Sequence, residues 1–281
     1  MIVLEHTSGI EVFSHPTVRE LSRLIDSKRA SVLANGGAER AAASRPHLVR
    51  KHDSVNASGQ YKPSFAQEQM LVLYELDPAS VAYAVPWTVR IAGALRTDAL
   101  VAALRTIAVR HDILRTTYAK SGAGLRAVVV PADVFELDVA VHDVRERANG
   151  DSHVSAMSAA TSLLAEEVAR RFDLYGGAAL RVVLVQTGDE EHVLLVNAHH
   201  ICTDEWSVNV LWRELHTLYA ALAASTRRDD DDANRSDVEA RATLPEPAVQ
   251  YSDYAAWQRS WFEGGGREEW TRQLDTWAKR L

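Results

Sequence analysis

The chain has 281 residues, 47% hydrophobic and 25% charged, the balance of an ordinary globular protein long enough to bury its own core. Its 31 Lys and Arg stand against 38 Asp and Glu, a net charge of −7 that argues against a nucleic-acid surface; part of the excess sits in the run Asp229 to Asp232. One cysteine, Cys202, excludes an intrachain disulfide and a thiolate zinc site, while the absence of a signal-like start or a long apolar run predicts a soluble protein suited to the cytoplasm, with no membrane partner.

In chain order, PTVRELSRLIDS (16–27) predicts a short amphipathic helix with Val18, Leu21, Leu24 and Ile25 on one face. Residues 28–60 are rich in Ala, Ser, Gly and Arg and read as linker. Ser64 followed by Gln67 is a capping-box pair that opens a helix to about Leu76. AVPWTVRIA (84–92) reads as a strand, and Thr97 to Arg110 as an amphipathic helix. A hairpin is expected from Ile113 to Ala119 and Leu125 to Val130, then an Ala-rich helix from Ser155 to Arg171. Two apolar runs, Leu180 to Gln186 and His192 to Asn197, predict neighbouring strands of a buried sheet. A helix over Ser207 to Ala224, a charged surface loop over Thr226 to Ala242, and Trp-rich helices over Tyr251 to Trp261 and Glu268 to Leu281 complete the chain. Strands mixed with helices give an α/β or α+β fold, a mixed sheet flanked by helices.

The segment VLLVNAHHICTDEWS (193–207) concentrates the reactive side chains. Side chains alternate along a strand, so His199 and His200 diverge: one faces inward while the other can face a cleft. A neutral imidazole there can take a proton from an amine or hydroxyl; the competing reading is two interior histidines at a strand end. His199, His200, Cys202 and Asp204 are all possible metal ligands, but adjacent histidines diverge and no second ligand cluster stands at a recognised spacing. Cys202 reads as a small core thiol, not a nucleophile.

HHICTDE resembles the HHxxxDG signature of the condensation domains of nonribosomal peptide synthetases. Ser64 to Met70 is similar to the opening SxAQxRLW motif, Arg110 to Tyr118 to RHExLRTxF, Phe172-Asp173-Leu174 to a recurrent FDL element, and Tyr251 to Trp257 to YxDFAxW. GIEVFSHPTVRELSRLI resembles the last helix of a peptidyl carrier domain. The resemblance therefore implies a carrier-domain tail over 1–27, a linker over 28–60, and a chloramphenicol-acetyltransferase-like N-terminal lobe over 61–281, without the C-terminal lobe.

The function implied is amide formation between a carrier-bound acyl or peptidyl thioester and an aminoacyl acceptor. The partners implied are upstream and downstream carrier domains with their phosphopantetheine arms, and a complementary C-terminal lobe. Residue by residue, His200 is the catalytic histidine, His199 a supporting one, and Asp204 a loop brace paired with Arg110 or, failing that, Arg115. Ser64, Gln67, Glu205, Trp206 and Ser207 are implied to line the tunnel or complete the motifs. Glu205 departs from the motif glycine and is expected either to narrow the tunnel or to point to solvent. A catalytically inactive lobe that only binds a carrier, an epimerization domain and an ester-forming acyltransferase are the alternatives; a cyclization domain, with aspartates in place of the histidines, is disfavoured.

Overall fold

In the computed structural model the described residues are 48, 50, 55–56, 58–122, 124–145, 152–224 and 244–280. The carrier-like helix over 16–27, most of the expected linker and the charged loop over 226–242 lie outside them. The described residues fall into two units, one within Leu48–Gln258 and one that holds residues 259–280.

The centre of the larger unit is a four-stranded sheet in the order β2-β7-β6-β5: β2 (Ala84–Ala92), β7 (Glu191–His199), β6 (Leu180–Gly188) and β5 (Asp138–Asp143). All neighbours are antiparallel except β5 and β6, which run parallel. A parallel pair needs a crossover, and α3 (Ser152–Ala169) lies in it.

The apolar runs of β6 and β7 are continuous because both sheet faces are buried. Val183, Val185 and Leu195 meet Ala156 and Ala160 of α3. The alternate residues Val182, Leu184, Leu194 and Val196 join a core with Leu104 and Ile107 of α2 (Thr97–Arg110) and Leu215 and Leu218 of α4 (Glu205–Ala224).

The second sheet is antiparallel, in the order β1-β4-β3: β1 (Gln60–Tyr61), β4 (Gly124–Val129) and β3 (Thr116–Ser121). The expected hairpin is present, but Asp112–Arg115 forms a 3-10 turn and the strand starts only at Thr116. That turn is held by Arg115, which pairs with Asp112 and donates to the Val109 carbonyl (3.1 Å) and the Val130 carbonyl. These tertiary bonds override the β-rich composition.

α1 (Phe65–Leu76) opens with the expected capping box: Gln67 N donates to Ser64 Oγ (3.2 Å) and Ser64 N to Gln67 Oε1 (3.0 Å). The FDL element makes a tight turn, where Asp173 Oδ1 accepts from the Tyr175 and Gly176 amides at 3.1 and 3.0 Å. Arg181 of β6 is buried against the end of α3, paired with Glu167 and stacked 3.8 Å from the Phe172 ring centre.

α5 (Tyr251–Trp261) follows. In the smaller unit, α6 (Arg267–Ala278) is set off by a break at Gly264, whose φ and ψ are −90° and −129°. No described helix is long and apolar enough to cross a membrane.

Candidate active site

β7 carries the histidine pair to the end of the sheet, and the pleat separates the two rings as expected. His199 is 6% exposed, with Phe172 edge-on at 5.8 Å between ring centres and Tyr83 at 6.2 Å. Its Nδ1 accepts the Ile201 amide at 3.0 Å. Burial, with the neighbouring His200 adding to it, pushes His199 down to about 4, so the ring is neutral at physiological pH. Within its unit His200 is exposed, its backbone amide bound to the Tyr83 carbonyl at 2.8 Å. Its Nδ1 lies 2.9 Å from the Thr203 carbonyl oxygen. A carbonyl only accepts, so Nδ1 carries the proton and Nε2 of the neutral ring keeps its lone pair.

The loop beyond is closely tied. Cys202 is buried, and its Sγ donates to the carbonyls of Ala179 (3.3 Å) and His199 (3.2 Å). Burial pushes this thiol up to about 12, which suits a core residue and not a nucleophile.

Asp204 departs from expectation. It pairs with neither Arg110 nor Arg115; its Oδ1 accepts the Ser207 amide at 2.8 Å and the Ser207 hydroxyl at 2.6 Å, capping α4. These bonds hold its carboxyl below the usual range.

The two arginines are engaged elsewhere. Arg110 Nε lies 3.4 Å from Glu214 Oε1, and its Nη2 donates to the Pro245 carbonyl. Glu214 Oε2 also takes His111 Nε2 at 2.7 Å. Burial works against ionising Glu214, but His111 and Arg110 together hold it below the ordinary glutamate value. Gln250 completes this tie, accepting the Asp112 amide (3.1 Å) and donating to the Arg110 carbonyl (3.0 Å). Arg110 thus braces α2 against α4 and the segment before α5, and Arg115 ties the 3-10 turn to the end of α2 and to Val130; neither holds the histidine loop.

Ser64 and Gln67 also depart from a tunnel-lining role, at 0% and 1% exposure. Ser64 Oγ meets Tyr251 OH at 2.9 Å, and Gln67 Nε2 donates to Tyr61 OH (3.2 Å) and Tyr118 OH (3.0 Å). The motifs at Ser64 and Tyr251 are therefore two sides of one part-buried polar contact. Glu205 and Trp206 stand exposed on the first turn of α4, Trp206 at 80%.

A cleft of about 240 Å³ lies apart from the histidine loop, lined by Arg110, Asp112, Arg115, Leu218, Leu244 and Gln250 among others. Among the described residues no three His, Cys, Asp or Glu side chains converge as metal ligands would.

Sequence reasoning missed Thr203, whose role is played by a backbone carbonyl and leaves no mark in residue type. It also missed Glu214, a charge among the inward residues Leu211, Leu215 and Leu218, for which a buried acid needing a partner was the available signal.

A buried mixed sheet thus delivers one enclosed and one exposed histidine to its end. The chain belongs to the condensation domain family, whose model matches residues 57–281, and its relatives are nonribosomal peptide synthetases. It is 33% identical over 284 residues to a linear gramicidin synthase from Brevibacillus parabrevis, covering 99% of this chain and 3% of the synthase. Against cyclosporin synthetase simA of Tolypocladium inflatum it is 34% identical over 277 residues, 98% of this chain and 2% of the synthetase.

Among solved structures, the X-domain from teicoplanin biosynthesis superposes with a TM-score of 0.59 at 25% identity, covering 78% of this chain and 41% of that one. A condensation domain mediating chain release from the enacyloxin polyketide synthase gives a TM-score of 0.58 at 25% identity, covering 90% and 45%. The chain thus spans under half of these solved relatives and a few per cent of the synthetases. Its fold is that of the condensation-domain family, α/β with one mixed and one antiparallel sheet.

Proposed function

We propose that the chain supplies the histidine-bearing lobe for amide formation between two carrier-bound substrates. The observation that carries this reading is the His200 ring, exposed in its unit, with Nδ1–H tied to Thr203 and Nε2 meeting no partner among the described residues. As the α-amine of an aminoacyl thioester attacks the acyl or peptidyl thioester, the C–N bond forms and the C–S bond breaks. His200 Nε2 takes the amine proton and the departing thiolate receives one. His199 keeps the strand end packed, and the Asp204 cap holds the loop. The partners are upstream and downstream peptidyl carrier domains, each presenting a phosphopantetheine arm. A complementary C-terminal lobe forms the opposite wall, and the setting is the cytoplasm. Both substrates are tethered, so proximity supplies much of the acceleration. Glu205, exposed on its own lobe, belongs to the solvent side of the loop and does not block His200.

The test is a condensation assay with two loaded carrier proteins, using the chain alone, with a family C-terminal lobe, and as His200→Ala. Amide product that falls roughly 10²- to 10⁴-fold in His200→Ala supports the reading. No product from folded protein in the presence of the second lobe refutes it and leaves a lobe that only binds carriers.

A further inference from the structure

We infer that Ser207 is a positioning residue for His200, acting through the Asp204 cap to aim the Thr203 carbonyl that keeps the ring in its Nδ1–H form. The inference deepens the reading of His200 as the proton acceptor and rests on it. The loop has two anchors. On the strand side, everything up to Cys202 is tied to the sheet: Ile201 N to His199 Nδ1, Cys202 N to the His199 carbonyl, and Cys202 Sγ to Ala179 and His199. None of these bonds holds Thr203. Its carbonyl belongs to the peptide joining it to Asp204, so the orientation of that plane follows Asp204.

Asp204 is held from the helix side. Its carbonyl accepts the Val208 amide (3.2 Å), and its Oδ1 accepts both the amide and the hydroxyl of Ser207, the hydroxyl at 2.6 Å. A hydroxyl on a carboxylate is a strong, short bond. The arginines that could have held this carboxylate are bound to Glu214, Pro245, Asp112, Val109 and Val130. The Ser207 hydroxyl is therefore the side-chain group that locks Asp204, and with it the carbonyl on which the His200 tautomer depends. Without that acceptor the ring relaxes toward the Nε2–H form that imidazole favours in water, and the lone pair leaves the nitrogen that needs it.

The experiment is long-range ¹H–¹⁵N correlation NMR on the full ¹⁵N-histidine-labelled chain, at a pH where the ring is neutral. The His200 signal is assigned by its loss in His200→Ala. The wild-type ring is expected to be mainly Nδ1–H. Ser207→Ala should shift the tautomer ratio toward Nε2–H by roughly five-fold, the factor one net hydrogen bond carries. Ser207→Thr, which keeps the hydroxyl, should restore it. Asp204→Asn keeps an acceptor and should retain the Nδ1–H majority that Asp204→Ala loses.

An unchanged ratio in Ser207→Ala, with circular dichroism showing native fold, overturns the inference. So does a wild-type ring that is mainly Nε2–H, or an Asp204→Asn ring that behaves as Asp204→Ala. The tautomer is read without turnover, so an inactive chain with the expected tautomers would remove the proposed reaction and leave this device standing.

Discussion

His199 and His200 are neighbours with opposite fates, and their difference is measurable. The folded pKa of His199 lies at about 4 against an ordinary 6.5, so the unfolded chain binds the extra proton first. Its stabilising contribution is complete above about pH 6.5 and is lost as pH falls toward 4, by about 3 kcal/mol in all. Urea unfolding at a series of pH values should show that slope, and His199→Asn, which keeps an acceptor for the Ile201 amide, should flatten it. A slope of equal size in the variant would assign it to other groups. Cys202, buried with its thiol pushed up to about 12, should resist alkylation in the native protein and react only on unfolding, as mass spectrometry with and without denaturant can show.

At the scale of elements, a buried ion pair ties a helix to the sheet. Arg181 joins β6 to the end of α3 through Glu167, and also donates to the Arg170 and Arg171 carbonyls at 2.6 and 3.1 Å. Arg181→Met leaves those carbonyls short of a donor and leaves Glu167 with Arg170 (2.8 Å) as its remaining ion pair, and should destabilise by about 1–3 kcal/mol, while the added change Glu167→Met should recover part of the loss. Equal unfolding midpoints for wild type and Arg181→Met would show that the pair contributes nothing.

Leu218 is fully buried between α4 and α2, and Leu218→Ala should cost about 2–5 kcal/mol, read from the same denaturation curves. The helices and the β6–β7 pair are legible in the sequence because their apolar period is strong, and the Ser64–Gln67 box because capping chemistry is local. Strand β5 is not, since DVAVHD alternates over only six residues and gains its place from pairing with β6. The 3-10 turn at Asp112–Arg115 escapes for a similar reason, being held by the carbonyls of Val109 and Val130.

Among the described residues, several large apolar side chains are exposed. Leu76 is 76% exposed, four residues after the exposed Val72 on the same side of α1, and Trp206 is 80% exposed beside the histidine loop. Such surface favours association. Light scattering over a concentration series should show the chain self-associating, and Leu76→Glu with Trp206→Glu should reduce it. A monodisperse monomer at all concentrations would contradict this.

The sequence by itself determined the family, the order of the main helices and strands, and the divergence of the two histidines, because each rests on spacing along one chain. Which partner Asp204 takes was decided only by tertiary structure. The residue types allowed an arginine or a helix cap; Glu214 and Pro245 engage Arg110, Asp112 engages Arg115, and α4 begins where Ser207 meets the carboxylate. The tautomer of His200 likewise depends on a backbone carbonyl, a group every residue carries, whose direction follows only from how the loop is folded.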